Sequence, residues 1–260
     1  MKRSSIVIAV LAALSLALAA GADEFQEYFE FRYTSGLPGG GFAVDPAGHA
    51  GFDGAMQINI PIGYTPGAGN YVVALSTAAI DGGFPDRIRG AGVNGTGAWG
   101  VGFFGPEHAL WAMDMRTGGS GEPAFNLQWQ VAPEKQGRPG ISIGVIDLFN
   151  DRASSRLDPF AADARSFFAA ATWEGGTPEK PMYFTLGTGN GRFSPIFGGV
   201  SYQPMERLKL MAEYDSFNAN IGAAYDVFRS SDNWHGILGL SLVDLDRVNL
   251  SFSVTRSSHK

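Results

Sequence analysis

From Leu208 onward, apolar and polar residues exchange places at nearly every step. Leu208, Leu210, Ala212 and Tyr214 alternate with Lys209, Met211, Glu213 and Asp215. Ala219, Ile221, Ala223, Tyr225 and Val227 alternate with Asn218, Asn220, Gly222, Ala224 and Asp226, and Val248, Leu250, Phe252 and Val254 with Asn249, Ser251, Ser253 and Thr255. A period of two sends the two sets to opposite faces of a sheet. The pattern recurs upstream over residues 56–62, 99–103, 111–115, 125–131, 141–145, 167–173, 182–186 and 196–202. With the four strands of the C-terminal series, this predicts twelve.

Residues 71–80 are apolar on both faces and give no polarity, and residues 25–34 are a further strand candidate. Pro61 cannot donate a ladder hydrogen bond, so the run 56–62 must bend or bulge there. Residues 36–48, 81–92, 118–121 and 150–162 read as loops or turns from their Gly, Pro and polar content. Asn190-Gly191 is a favoured two-residue hairpin link. The sole helix candidate is 159–168. No linker divides the series, which predicts one domain over residues 23–260.

Alternation alone fits both a sandwich in water and a barrel in lipid. Composition separates them. Charged residues are 17% of the chain, against about 25% in soluble proteins. Glycine is 36 of 260 residues, about twice the ordinary share. The polar faces therefore carry mostly Gly, Ser, Thr, Asn and Gln rather than charge. The expected fold is all-β, a single antiparallel transmembrane β-barrel of about 12 strands, with 14 the next even count. Closure removes the unpaired strand edges that hydrocarbon does not tolerate. Leu, Ile, Val, Phe and Tyr are then expected outward against lipid, with small polar groups inward facing water. Tyr64, Tyr71, Trp173, Tyr202, Tyr214, Tyr225 and Trp234 are candidates for interfacial girdles.

Residues 1–22 read as a cleaved signal peptide. Lys2 and Arg3 precede an apolar core over 6–20, and Ala20-Gly21-Ala22 is a small-x-small exit. Together with the barrel pattern, this predicts the outer membrane, with its lipid as the main partner. The chain has no cysteine, which excludes disulfides, thiolate metal sites and lipidation at a mature N-terminal Cys. Without Lys2 and Arg3, 17 basic residues face 25 acidic ones, a net charge near −8. That excludes a nucleic-acid footprint.

Lys209, Glu213 and Asp215 share one face, and Asp226 joins it from the next strand. With Asn220, Asn126, Gln128 and Gln130 they are the lumen-facing candidates. An internal salt-bridge network bracing a narrow barrel is the preferred reading. A selectivity ring in a pore and a carboxylate pair acting on a glycan are the rivals. His49, His108, His235 and His259 lack metal-ligand spacing. There is no Gly-x-Ser-x-Gly elbow, and Gly187-Thr188-Gly189-Asn190-Gly191 lacks the P-loop ending. Asp244-Leu245-Asp246 reads as a turn. No catalytic role, cofactor or metal is predicted.

Phe197-Gly198-Gly199-Val200-Ser201-Tyr202-Gln203-Pro204 is followed by Leu208-Lys209-Leu210-Met211-Ala212-Glu213-Tyr214-Asp215 and then Asn220-Ile221-Gly222-Ala223-Ala224-Tyr225. Over residues 196–225 the chain resembles the YjbH-like outer-membrane family. The resemblance implies a barrel associated with exopolysaccharide production or export, with polysaccharide or export machinery as partner. It also implies that Ala-Glu-Tyr-Asp is a hairpin signature, Tyr214 facing lipid and Glu213 pinned inside by a cation. Two other readings stand beside this one, a soluble periplasmic β-sandwich or barrel binding a small ligand, and an outer-membrane hydrolase.

Overall fold

A computed structural model describes residues 37–77, 95–117, 123–149, 165–245 and 247–258. The expected signal peptide and the strand candidate 25–34 lie outside these residues, as do loop 81–92, turn 118–121 and loop 150–162. Two short strands come first, β1 (Ala43–Val44) and β2 (Ala50–Gly51), paired with each other. Twelve longer strands follow. They are β3 (Tyr71–Thr77), β4 (Gly95–Phe103), β5 (Leu110–Thr117), β6 (Pro123–Ala132), β7 (Gly140–Ile146) and β8 (Ser166–Thr177), then β9 (Lys180–Gly189), β10 (Phe197–Met205), β11 (Leu208–Tyr214), β12 (Ala219–Arg229), β13 (Trp234–Val243) and β14 (Arg247–Arg256).

Each of these strands pairs antiparallel with the next, and β14 returns to β3 from Ser251↔Ser76 to Arg256↔Tyr71. The sheet is a closed twelve-stranded meander, so no strand edge is left open. Every connection at one end is short: 104–109, 133–139, 178–179, 206–207 and 230–233, beside the chain's last strand end. The opposite end carries the two longest, 78–94 and 147–165, with four short ones between and after them.

The outer face is apolar. Val73, Leu75, Trp99, Trp129, Ile143, Leu186, Leu210, Ile221, Tyr225, Leu238, Leu240, Leu250 and Phe252 are all exposed. Their sequence neighbours, such as Ala74, Ala98, Gln128, Ser142, Lys209, Asn220, Ser241, Asn249 and Ser253, are buried. An exposed apolar belt around a closed barrel is what lipid requires, and the fold is a transmembrane β-barrel. Among the described residues no helix is long and apolar enough to cross a membrane; the strands make the crossing.

Residues 37–70 do not join the wall. They fold inside it. Leu37, Phe42, Phe52, Met56, Ile60, Ile62 and Tyr64 are at most 1% exposed and share one core with Val72, Trp111, Met113, Met115, Phe168, Phe193, Phe197 and Ile237 of the wall and its loops. Several expectations are corrected by this internal plug. The alternating run 56–62 is not a barrel strand, and the twelfth wall strand is instead β3, in the region without clear polarity. Val72 and Ala74 of β3 face an apolar plug rather than water, which is why both faces of that strand read as apolar. Trp111, Met113 and Met115 face inward for the same reason, while Ala112 and Asp114 face out. Tyr64 belongs to the plug and not to an outer girdle; the other six girdle candidates keep partial or full exposure. The amides and hydroxyls of the inner face look onto the plug, not onto a water-filled lumen.

Two smaller expectations also change. Asn190-Gly191 is not a two-residue hairpin link, because β9 and β10 are joined by 190–196, whose one 3-10 turn tucks Phe193 into the interior. Of the helix candidate 159–168, residues 165–168 are described, and Ser166 to Phe168 are strand.

Glycine is abundant because the filled interior leaves little depth beside the wall. A Cβ at Gly144 would sit 2.3 Å from the Phe168 ring across the ladder, and one at Gly187 would sit 2.0 Å from Phe197. At Gly102 it would meet the plug carbonyl of Gly67 at 2.0 Å. Such distances exclude any side chain without movement of backbone or ring.

Candidate functional site, the seat of the plug

The plug is gripped from the wall by side chains that bond its backbone. The central grip is on β10, β11 and β12. Cross-strand register aligns Gly199, Glu213 and Asn220 in one inward row. The Glu213 carboxylate accepts hydrogen bonds from the plug amides of Ile58 and Asn59, both at 2.7 Å, and from Asn220 Nδ2 at 3.0 Å. Asn220 Nδ2 also donates to Asp215 Oδ2 at 2.9 Å. Ser201 Oγ accepts from the Met56 amide at 3.2 Å. Gly199 and Gly222 are the spaces into which Gln57 and Ile58 fit, since a Cβ there would lie 2.6 Å from Gln57 Oε1 and 3.0 Å from Ile58 Cδ1. The residues Gly199, Glu213, Asp215, Asn220 and Gly222 from the stretch 196–225 therefore converge around plug residues 57–59.

Four residues earlier on β11, the fully buried Lys209 donates to the plug carbonyls of Phe52 and Gly54. One strand thus holds the plug at two points in opposite senses, an ammonium on carbonyls and a carboxylate on amides. Neither charge has an oppositely charged side chain within ion-pair distance among the described residues. Of the expected internal salt-bridge network of Lys209, Glu213, Asp215 and Asp226, Asp226 pairs with Arg229, and the four groups do not pair with one another. Nor is Glu213 pinned by a cation. Backbone amides of the plug take that place.

A second grip lies on β6 to β8. Gln128 Nε2 donates to the carbonyls of Ile62 (3.0 Å) and Tyr64 (2.9 Å). Gln130 accepts from the Thr65 amide at 2.8 Å and donates to the Gly63 carbonyl at 2.9 Å. Ser142 donates to Ile62 O at 2.8 Å, and Thr172 Oγ1 accepts from the Gly63 amide at 2.7 Å. Tyr64 donates its hydroxyl to Glu134; burial and that carboxylate hold its phenol above the ordinary range. On β14, Ser253 donates to Gly41 O at 2.6 Å.

Of the eight residues singled out from sequence, Lys209, Glu213, Gln128 and Gln130 bond the plug directly, and Asn220 orients Glu213. The other three fasten the wall. Asp215 accepts from the amides of Phe217 and Asn218 in the β11–β12 turn. Asn126 accepts from the Asp147 amide at 2.9 Å. Asp226 Oδ2 takes Arg229 Nε at 3.1 Å and His235 Nδ1 at 3.0 Å. Ser142, Thr172, Ser201, Ser253 and Glu134 were not singled out. Four of these hold inward positions on their strands, but only the plug's path distinguishes them from other small polar wall residues.

Little space remains. A void of about 20 Å³ adjoins Gln57, Ser241, Asn249 and Ser251, and neither polar atom of the Gln57 amide has a hydrogen-bond partner. A cleft of about 200 Å³ opens at the short-turn end, between plug residues Asp45, His49 and Asp53 and wall residues Arg229, Asn233 and His235. Among the described residues no group of three His, Asp or Glu side chains is placed to hold a metal ion.

Fold and site together define a class: a transmembrane β-barrel closed by a segment of its own chain. No family model matches this chain, and no curated protein does. Among solved structures, a KdgM porin is similar to it with a TM-score of 0.49 at 9% identity, covering 73% of this chain and 99% of that one. A KdgM porin in complex with disordered oligogalacturonate gives 0.47 at 10%, with the same coverage. The twelve-strand count rests on the chain's own hydrogen-bond register.

Proposed function

We propose that the protein is an outer-membrane, porin-like barrel whose passage is shut by residues 37–70 and opens when that plug moves. The observation that carries this reading is the pair Lys209 and Glu213. Both are buried charges compensated by plug backbone groups. A barrel filled permanently can seat plug backbone on neutral amides, as Gln128 and Gln130 do, without the cost of desolvating a charge. Charges on the wall are useful when the wall is sometimes wet. The rest of the inner face supports the same reading, because Asn126, Gln128, Gln130, Ser142, Thr172, Ser201, Asn220, Asn249 and Ser253 can bond water as readily as backbone. Its short-turn end faces the periplasm, as in barrels with short periplasmic turns and longer outer loops. The cargo class we propose is a surface polysaccharide, on the sequence resemblance over residues 196–225.

Full-length protein in planar bilayers tests the reading. The chain has no cysteine, so a Met56→Cys, Ser201→Cys pair introduces one defined cross-link between plug and wall. Transient conductance is expected in the reduced pair and in the wild type, and none in the oxidised pair. Equal conductance before and after oxidation would refute gating by the plug.

A further inference from the structure

Where the plug can be released is written in its exposure. Of residues 37–70, Ala47, Asp53 and Ala68 are exposed, and Asp45, Pro46, His49 and Gly69 partly so; every other one is buried. Asp45, His49 and Asp53 line the cleft at the short-turn end with Ser230 and Asn233, and Ala68 bonds Phe104 at that end. At that end the wall guanidinium of Arg229 faces a carboxylate of the plug. Arg229 Nε is fixed on Asp226 Oδ2 at 3.1 Å, and Asp226 is fully buried and also bonded to His235. The remaining guanidinium nitrogens point outward, 3.5 Å from Asp53 Oδ1 of the plug and 3.8 Å from Glu206 Oε1 of the β10–β11 turn. Gln203 Nε2 reaches the same Asp53 oxygen at 3.4 Å.

We propose that Arg229 and Asp53 form a latch that holds the plug tip, Phe52 to Gly54, to the wall and sets how often the plug is released. The proposal rests on the gated-barrel reading and adds the point of control. Its two halves differ in kind. Asp226 and His235 hold the guanidinium from within, so the wall half is rigid. Asp53 is mostly exposed and its pairing is long, so the plug half is weak and separable. Lys209, on the carbonyls either side of Asp53, lies beneath the latch, and its grip is lost only once the tip lifts.

The test reads plug release without reading conduction. Ala55 is fully buried in the plug, next to the tip. An Ala55→Cys protein in lipid vesicles is exposed to a charged, membrane-impermeant thiol reagent, and its labelling rate is the rate at which the plug leaves. In this background Asp53→Asn and Arg229→Gln are each expected to label about two- to fivefold faster, the range for a weak partly exposed pair. The double variant is expected to label no faster than Arg229→Gln alone. Glu206→Gln, which removes the guanidinium's wall neighbour, is expected to leave the rate unchanged. Heat-modifiable migration on a gel reports that the barrel itself is intact, and Asp53→Asn, at an exposed site, keeps the test available should Arg229→Gln not fold. Unchanged labelling in Asp53→Asn overturns the latch, as does equal acceleration by Glu206→Gln. Faster labelling without any conductance keeps the latch and removes the porin reading.

Discussion

Replacing Glu213 by alanine removes the acceptor that the Ile58 and Asn59 amides share, both at 2.7 Å. Both residues are buried, and the Glu213 carboxylate is the acceptor for each amide. A buried donor left without a partner costs about 1–3 kcal/mol, so two cost about 2–6 kcal/mol. Asn220 also loses one bond but keeps Asp215. Relief from burying the carboxylate offsets part of this, and a net loss of about 2–4 kcal/mol is expected. Glu213→Gln keeps one acceptor oxygen and turns an amide donor toward a second donor, so it should fall between alanine and wild type. Denaturant unfolding of the barrel refolded into vesicles measures the loss. Trp111 is fully buried, 5.7 Å from the plug ring of Phe42, and in a protein whose other four tryptophans are replaced by phenylalanine its fluorescence separates loss of the plug from loss of the wall. If alanine at 213 leaves the unfolding midpoint and the Trp111 emission unchanged, backbone anchoring is not what seats the plug.

Ile221→Arg places a charge on the lipid face, where it should cost about 2–4 kcal/mol near mid-membrane; wild-type yield of heat-modifiable barrel in the membrane fraction would contradict the assigned sidedness. Gly102→Val forces a side chain against the Gly67 carbonyl and should destabilise by about 1–3 kcal/mol through overpacking, read as faster proteolysis between residues 37 and 70. Gln57→Met replaces two unpaired buried polar atoms by an apolar side chain of similar size. It should raise stability by about 1–3 kcal/mol, and a lower midpoint would show that the amide is partnered in solution.

Much of the wall was legible one strand at a time. The outward positions Leu210, Ile221, Leu250 and Phe252 and the inward positions Lys209, Glu213, Asn220 and Asn249 follow from a period of two, which a strand cannot evade. Low charge and abundant glycine then favoured lipid over water outside. The plug was not legible, although it left traces. Counting both 56–62 and 71–80 gives thirteen alternating or apolar segments even without the candidate 25–34, one more than the wall holds. Pro61 breaks the first of them, and β3 and β5 carry apolar groups on their inward faces. None of these says which segment leaves the wall, because Ile58, Ile60 and Ile62 satisfy a lipid-facing pattern as well as a buried one.

The sequence by itself determined eleven of the twelve wall strands and the direction in which most of their side chains point, because those depend on neighbours one and two residues away. Only the tertiary structure decided what fills the barrel and which polar groups grip it. The Glu213 carboxylate meets amides more than 150 positions distant in the chain, and such a pairing depends on closure of the sheet and on the path of a segment inside it, for which local alternation carries no signal.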